Sequence, residues 1–330
     1  MQYLEIEKEE WNKALKRLLL SYSIFATAKN DFGIDYEPVT PANINEITYN
    51  RPKPATSLKS FFLPVKENVT SGSKLNRQRV LIGMPNCDIE GLALLDQIYL
   101  DKDFPDQYYR ERRDNTILIS SDCFGIQEHC HCTTYGIKPF AVSGGDLAII
   151  SHGNLMVFRI ITERGREFLS QLAQMKELHD NSILMAIKAQ QEKTLEMLLE
   201  SNKGLPDYKQ TGQLLKNSVK EIWLRYSAGC VSCGACAAIC PTCSCFLLID
   251  KPGFEKVKQL DTCQYPGFER VAGGEDALYE KHLRFRNRYM CKYVWKPEKF
   301  DALACTGCGR CIEACIGGIN KNKLFLELTT

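Results

Sequence analysis

Most of the features that mark a membrane protein, a nucleotide-binding enzyme or a hydrolase are missing from this sequence. No apolar run approaches the roughly 18–20 residues that cross a bilayer. The stretch Met1–Lys13 has scattered glutamates and no apolar signal core, and it reads as the start of an amphipathic helix running through Leu20. Neither sign of charge is in excess. A net charge of +2 gives no long-range attraction to nucleic acid or to an anionic membrane. There is no G-x-G-x-x-G between a strand and a helix and no G-x-x-x-x-G-K-S/T phosphate loop, and Gly144-Gly145 fits a turn. No Ser/His/Asp set or paired carboxylates stand out, and no low-complexity tract occurs. The expectation is a cytoplasmic chain that binds no nucleotide or flavin itself and has no catalytic residues of its own.

One residue type is abundant. The chain has 16 cysteines in 330 residues, within an otherwise ordinary composition of 44% apolar and 25% charged residues. Disulfide frameworks belong to short secreted chains, whereas clustered thiols in a reducing compartment hold metal. Metal is therefore expected, spread over two or three domains.

The pattern predicts an α+β chain. Residues 1–162 read as a mixed α/β domain, with buried strands at Val80–Gly83 and Thr116–Ser120 and helical spacing over Ile89–Leu100. A hairpin is expected from Leu147–Ser151 and Leu155–Ile161 about His152-Gly153-Asn154, and loops at Arg51–Pro54 and Asn68–Arg77. Residues 163–226 read as a helical connector, with helices at Arg166–Leu178, Asn181–Ser201 and Gly212–Tyr226. Residues 227–330 read as a ferredoxin-like domain, in which cysteine spacing governs from Gly229 to Ile319 and loops and short helices wrapped around metal are expected.

That last segment holds an internal repeat. Cys230-x-x-Cys233-x-x-Cys236-x-x-x-Cys240 recurs as Cys305-x-x-Cys308-x-x-Cys311-x-x-x-Cys315. Three thiols two residues apart wrap one face of a cubane, and the fourth reaches the other cluster, as in bacterial two-cluster ferredoxins. One [4Fe–4S] cluster is thus expected on Cys230, Cys233, Cys236 and Cys315, and a second on Cys305, Cys308, Cys311 and Cys240. Paired zinc sites are the competing reading of C-x-x-C, and the twice-repeated four-cysteine spacing argues against them. Pro241 follows Cys240, but Ile316 stands after Cys315.

Cys87 follows one expected strand, and Cys123, Cys130 and Cys132 follow another. If those strands are neighbours, the four thiols meet at one end of the sheet and can hold a third [4Fe–4S] cluster. Zinc, with His129 or His131, is the alternative. Cys243, Cys245, Cys263 and Cys291 remain unassigned, and packing near the clusters is favoured for them. Arg284-Phe285-Arg286-Asn287-Arg288-Tyr289 reads as a solvated or cluster-side charged face, with an anion or partner site as the competing reading, and Arg110, Arg112 and Arg113 as surface or salt-bridging residues.

The motifs resemble the β subunit of soluble sulfhydrogenase-type [NiFe] hydrogenases and, more loosely, the A subunit of anaerobic sulfite reductase. The likeness is carried by Arg51-Pro52, Lys59–Phe62, Asn86–Ile89, Gly91-Leu92 and Leu95-Asp96. It continues through Asp106–Tyr109, Arg112-Arg113, Cys123 and Cys130–Cys132. In the C-terminal part it rests on Cys240–Cys245, Asp261–Cys263, Ala272–Gly274, Arg284–Tyr289, Cys291-Lys292 and Cys308–Cys311. His131 between two cysteines, Gly274-Glu275-Asp276 and Ile316 depart from that pattern.

The resemblance implies an iron–sulfur electron-transfer subunit. Its expected neighbours are an FAD/[2Fe–2S] subunit that handles NAD(P)H and a catalytic hydrogenase or sulfite reductase subunit. The resemblance also strengthens the third cluster on Cys87, Cys123, Cys130 and Cys132. A reading of another class is a stand-alone metal-binding regulatory or scaffold protein.

Overall fold

The structure, a computed structural model, describes residues 2–72 and 75–329. Met1, Thr330, and Ser73 and Lys74 of the expected loop Asn68–Arg77 lie outside the described residues. The strands are β1 (Tyr3–Glu7), β2 (Ser23–Asn30), β3 (Gly33–Pro38), β4 (Lys66–Asn68), β5 (Arg79–Met84), β6 (Thr116–Ser121), β7 (Leu147–His152), β8 (Leu155–Ile160), β9 (Lys176–Glu177), β10 (Phe246–Lys251) and β11 (Glu255–Leu260). The helices used below are α1 (Lys8–Leu18), α2 (Asn86–Tyr99), α3 (Glu163–Ser170), α4 (Asn181–Ser201), α5 (Tyr208–Asn217), α6 (Lys220–Ser227), α7 (Ala235–Ala238), α8 (Lys281–Met290), α9 (Lys296–Phe300), α10 (Arg310–Glu313) and α11 (Lys321–Glu327).

The fold is α+β, with the large sheet in the N-terminal part. Its strand order is β3-β2-β5-β6-β7-β8-β1-β9, parallel from β2 through β7 and antiparallel elsewhere. Every residue of β5 and β6 is buried, as expected of central parallel strands covered on both faces. Alternation divides them. Val80, Ile82, Ile117 and Ile119 pack on one side with Trp11, Leu15, Phe168 and Leu169 from α1 and α3. Leu81 and Leu118 pack on the other with Ile89, Leu92 and Leu95 of α2.

Because β5 and β6 are parallel neighbours, their C-terminal ends lie at the same edge. Cys87 opens from the first turn of α2 just beyond β5, and Asp122-Cys123 follow β6 directly. Arg159 of β8 donates to both Asp122 oxygens at 2.7 and 3.2 Å and to the Ala141 carbonyl. The pair is buried and fixes the chain immediately before Cys123.

The C-terminal part returns to the N-terminal part at several points. Strands β10, β11 and β4 form a second antiparallel sheet, so a strand from near residue 67 joins a hairpin from near residue 250. Arg310 of α10 forms a buried two-point pair with Asp88 of α2, at 2.6 and 2.8 Å. Helices α5 and α6 pack with α8 and α11 through Leu215, Trp223, Phe285, Tyr289 and Phe325.

Some elements differ from the sequence reading. The expected N-terminal helix starts only at Lys8. Residues 3–7 instead pair with β8 and β9, which flank them on both sides. The helix expected at 166–178 ends at Ser170, and 176–177 extend the sheet. The one expected at 212–226 is two helices, broken where Ser218 and Val219 are extended. Within 229–319 lie the hairpin β10–β11 and the ten-residue helix α8, beside the expected loops and short helices. Sheet pairing with distant β4 decides the hairpin, which a local reading cannot see.

Breaking the Arg159 anchor should be costly. Arg159→Met leaves the Asp122 carboxylate buried with its charge unpaired, a loss on the order of 3–5 kcal/mol. A clearly lower urea midpoint, followed by far-UV circular dichroism, is the expected result.

Candidate metal centres

Each copy of the cysteine repeat folds in the same way. The third cysteine sits on a four-residue helix, α7 or α10, entered through a left-handed glycine, Gly234 or Gly309. The two short helices pack on each other. This arrangement gathers thiols around two adjoining cavities.

The first cavity is lined by Cys230, Cys233, Cys236 and Cys315, with Cys311 and Arg288 also in its wall. Backbone amides of Ser232 and Ile319 donate to the sulfurs of Cys230 and Cys315 at 3.4 and 3.3 Å. Burial pushes the Cys236 thiol up to about 11. Cys233 is exposed.

The second cavity is lined by Cys240, Cys305, Cys308 and Cys311. Here α8 widens into a π turn, Cys291–Trp295, before α9. Lys292 of that turn is buried. Its Nζ donates to the Cys240 sulfur at 3.1 Å, Thr242 Oγ1 at 2.8 Å and the Ala304 carbonyl at 3.0 Å. Burial opposes the Lys292 charge, but the facing Cys240 and Cys243 thiols hold its pKa well above the usual lysine range. The Cys240 thiol is correspondingly held well below its ordinary range by the bond to Cys243, helped by Lys292 and Arg288.

The third cavity is lined by Cys87, Cys123, Cys130 and Cys132. Burial raises the Cys87 and Cys123 thiols well above their ordinary range and the Cys132 thiol to about 12. Thiols this deep ionise only when a cation replaces the lost water. Lys53 Nζ approaches the Cys130 sulfur at 3.6 Å and pairs with Glu313 at 2.8 Å. The His131 ring is turned away from the sulfurs. Its Nδ1 bonds the His129 carbonyl at 2.8 Å, and its Nε2 faces Lys321 Nζ at 2.7 Å.

The three cavities adjoin. Cys311, Arg288 and Lys321 line both the first and the second, and Cys308 lines both the second and the third. Backbone contact holds the last two together. The His131 amide donates to the Gly307 carbonyl at 2.8 Å, and a Cβ on Gly307 would lie 2.6 Å from the backbone of Cys132. In all three cavities the thiols ring a volume rather than a point. Among the described residues no three His, Cys, Asp or Glu side chains lie close enough to hold a single ion.

A multi-iron core fits this donor set. Arg288, Lys292 and Lys321 are buried in the cavity walls, and none has a carboxylate partner among the described residues. Arg288 Nε has no hydrogen-bond partner at all among the described residues. A buried cation without counter-charge is destabilising, and an anionic thiolate-bound group relieves that cost.

Cys243 and Cys245 line another cavity with Lys59 and Tyr265, and Cys243 reaches the Cys240 thiol. Cys263 is buried and accepts from Gln264 at 3.5 Å, and Cys291 opens the π turn. Arg112 and Arg113 are salt-bridging, to Glu67 and Asp96. Arg288 does face the cavities, as the charged-face reading held. Lys53, Lys321 and the Arg310–Asp88 pair were missed. Nothing local marks a buried lysine in sequence, although Arg310 between two cysteines was a usable signal.

Residues 229–319 match the 4Fe-4S dicluster domain. This is an iron–sulfur electron-transfer protein. Over its whole length it resembles the sulfhydrogenase 2 subunit beta of Pyrococcus furiosus. The two are 27% identical over 341 residues, covering 99% of this chain and 98% of the relative. No solved structure matched the chain. The chain therefore resembles a hydrogenase β subunit, and its C-terminal part carries the dicluster domain.

The Gly307 contact yields a test. Gly307 has a φ of +66°, and an added Cβ meets the Cys132 backbone, so both strain and collision oppose a side chain there. Gly307→Ala should lower thermal stability and lower the iron bound per chain, measured colorimetrically after gel filtration.

Proposed function

We propose that the chain is a cytoplasmic electron relay with three [4Fe–4S] clusters, serving a multisubunit [NiFe] hydrogenase. Cys230, Cys233, Cys236 and Cys315 hold one cluster, and Cys305, Cys308, Cys311 and Cys240 a second. Cys87, Cys123, Cys130 and Cys132 hold the third. The observation that carries the reading is the wall composition of the cavities: each set of four thiols surrounds its own volume, and Cys311 and Cys308 are shared between neighbours. When bound, the clusters supply one-electron chemistry at potentials set by charge, hydrogen bonding and burial.

The chain's own residues do the rest. Amides of Ser232 and Ile319 donate to ligand sulfurs, and Lys292 donates to Cys240. The Arg310–Asp88 pair and the Gly307 contact hold the N-terminal site against the dicluster domain. The domain scheme 1–162, 163–226 and 227–330 goes with this reading: a sheet that presents one site, helices that dock it, and a dicluster segment. Among the described residues no helix is long and apolar enough to cross a membrane.

Partners follow from the relative's name. A subunit beta of a sulfhydrogenase implies neighbours, and we assign to this chain an FAD/[2Fe–2S] subunit that handles NAD(P)H and a catalytic [NiFe] subunit.

Iron analysis tests the ligand sets. The anaerobically purified chain should carry about twelve irons, four per cubane. Cys87→Ala should remove about four of them and leave the dicluster spectrum intact. Iron unchanged in Cys87→Ala would refute the third site. The chain alone should not oxidise NADH with artificial acceptors, and robust activity with bound flavin would refute the assignment of that step to a neighbour.

A further inference from the structure

Charge is distributed unequally over the three cavities. In the third, each buried cation is matched by a carboxylate. Lys53 pairs with Glu313, Arg310 beside Cys308 with Asp88 beside Cys87, and Arg159 with Asp122 beside Cys123. His131, between two of the ligand cysteines, meets Lys321 Nζ through its Nε2 at 2.7 Å. Lys138 also lines this cavity but stands exposed, where solvent screens it.

The dicluster cavities differ. Arg288 and Lys321 line both and Lys292 lines the second, all three buried without a carboxylate partner among the described residues. Lys321 Nζ is instead surrounded by the rings of Tyr135, Tyr293 and Phe325 and by neutral acceptors. Among the described residues no acidic side chain lines any of the three cavities, so the difference lies in whether the cations around them have carboxylate partners.

Adding an electron to a thiolate-bound cluster adds negative charge and takes up no proton here. Nearby unpaired cations favour it, and cations already cancelled by carboxylates do so far less. We propose that buried charge grades the relay, placing both dicluster sites at higher reduction potential than the Cys87 site. Electrons then run downhill from the Cys87 site, through the shared Cys308 wall, toward the exposed Cys233. One electron leaves a reduced one-electron donor at the Cys87 end, and one reduces an oxidised acceptor at the Cys233 end. No bond forms or breaks. The inference rests on the ligand sets proposed above.

The test is an EPR-monitored potentiometric titration of the full iron-loaded chain, with Cys87→Ala identifying the signal of the N-terminal site. That signal should appear last on reduction. Arg288→Met, which loses a single hydrogen bond to the Cys236 carbonyl, should lower the dicluster midpoints. The expected change is at least tenfold in oxidised-to-reduced ratio, about 59 mV for a one-electron couple. It should move the Cys87-dependent signal less.

The opposite shift is expected on a half-exposed position. Glu313→Gln frees Lys53 from its carboxylate and should raise the Cys87-dependent midpoint. If the Cys87-dependent site reduces first, or if Arg288→Met leaves the dicluster midpoints in place, the grading is overturned. Should Arg288→Met fail to fold, the wild-type order and Glu313→Gln still decide. Iron near eight per chain with no Cys87-dependent signal overturns the ligand reading and the grading together, and it is seen before any titration.

Discussion

Mutual compensation between buried thiols and buried cations is the constraint on which the structure depends. Neither group is stable alone in an interior this dry. Burial pushes Cys87, Cys123, Cys132 and Cys308 away from ionisation, while Arg288 and Lys321 sit between two cavities without a carboxylate partner among the described residues. An iron–sulfur core ionises the thiols and supplies the anion that the cations lack. The cavities are therefore incomplete as protein alone, and the fold around them is arranged to hold them side by side.

That arrangement explains why a sheet domain accompanies a dicluster segment. Parallel pairing of β5 and β6 brings Cys87 and Cys123 to one edge. The loop carrying Cys130 and Cys132 then lies against Gly307 and Gly309 of the second cysteine repeat at backbone distance. Cys308 ends up in the walls of both the second and third cavities, and Arg310 reaches from the repeat to Asp88. A free ferredoxin-like module would have no use for these contacts. On the three-cluster reading proposed above, they join the Cys87 site to the pair.

The site was more legible than the fold. Cysteine spacing is a local code, because three thiols two residues apart can converge only within a tight turn, and the repeat could be read directly. The set from the N-terminal half needed one inference about topology, that the strands before Cys87 and Cys123 are neighbours, and the structure makes them so. What stayed hidden depends on partners far away in sequence. Residues 3–7 became a strand because β8 and β9 flank them, and β10–β11 pair with β4. Lys53, Lys292 and Lys321 look like surface lysines until packing buries them. Charge compensation is a tertiary property, and no short motif records it.

The central claim is that three clusters sit in adjoining cavities with shared walls, and their magnetic interaction tests it most directly. The fully reduced chain should give an EPR spectrum broadened and split by coupling between neighbouring paramagnets. Removing the Cys87 site should simplify that spectrum without erasing the dicluster coupling. Independent, uncoupled signals that sum to the spectrum of the whole would contradict the account.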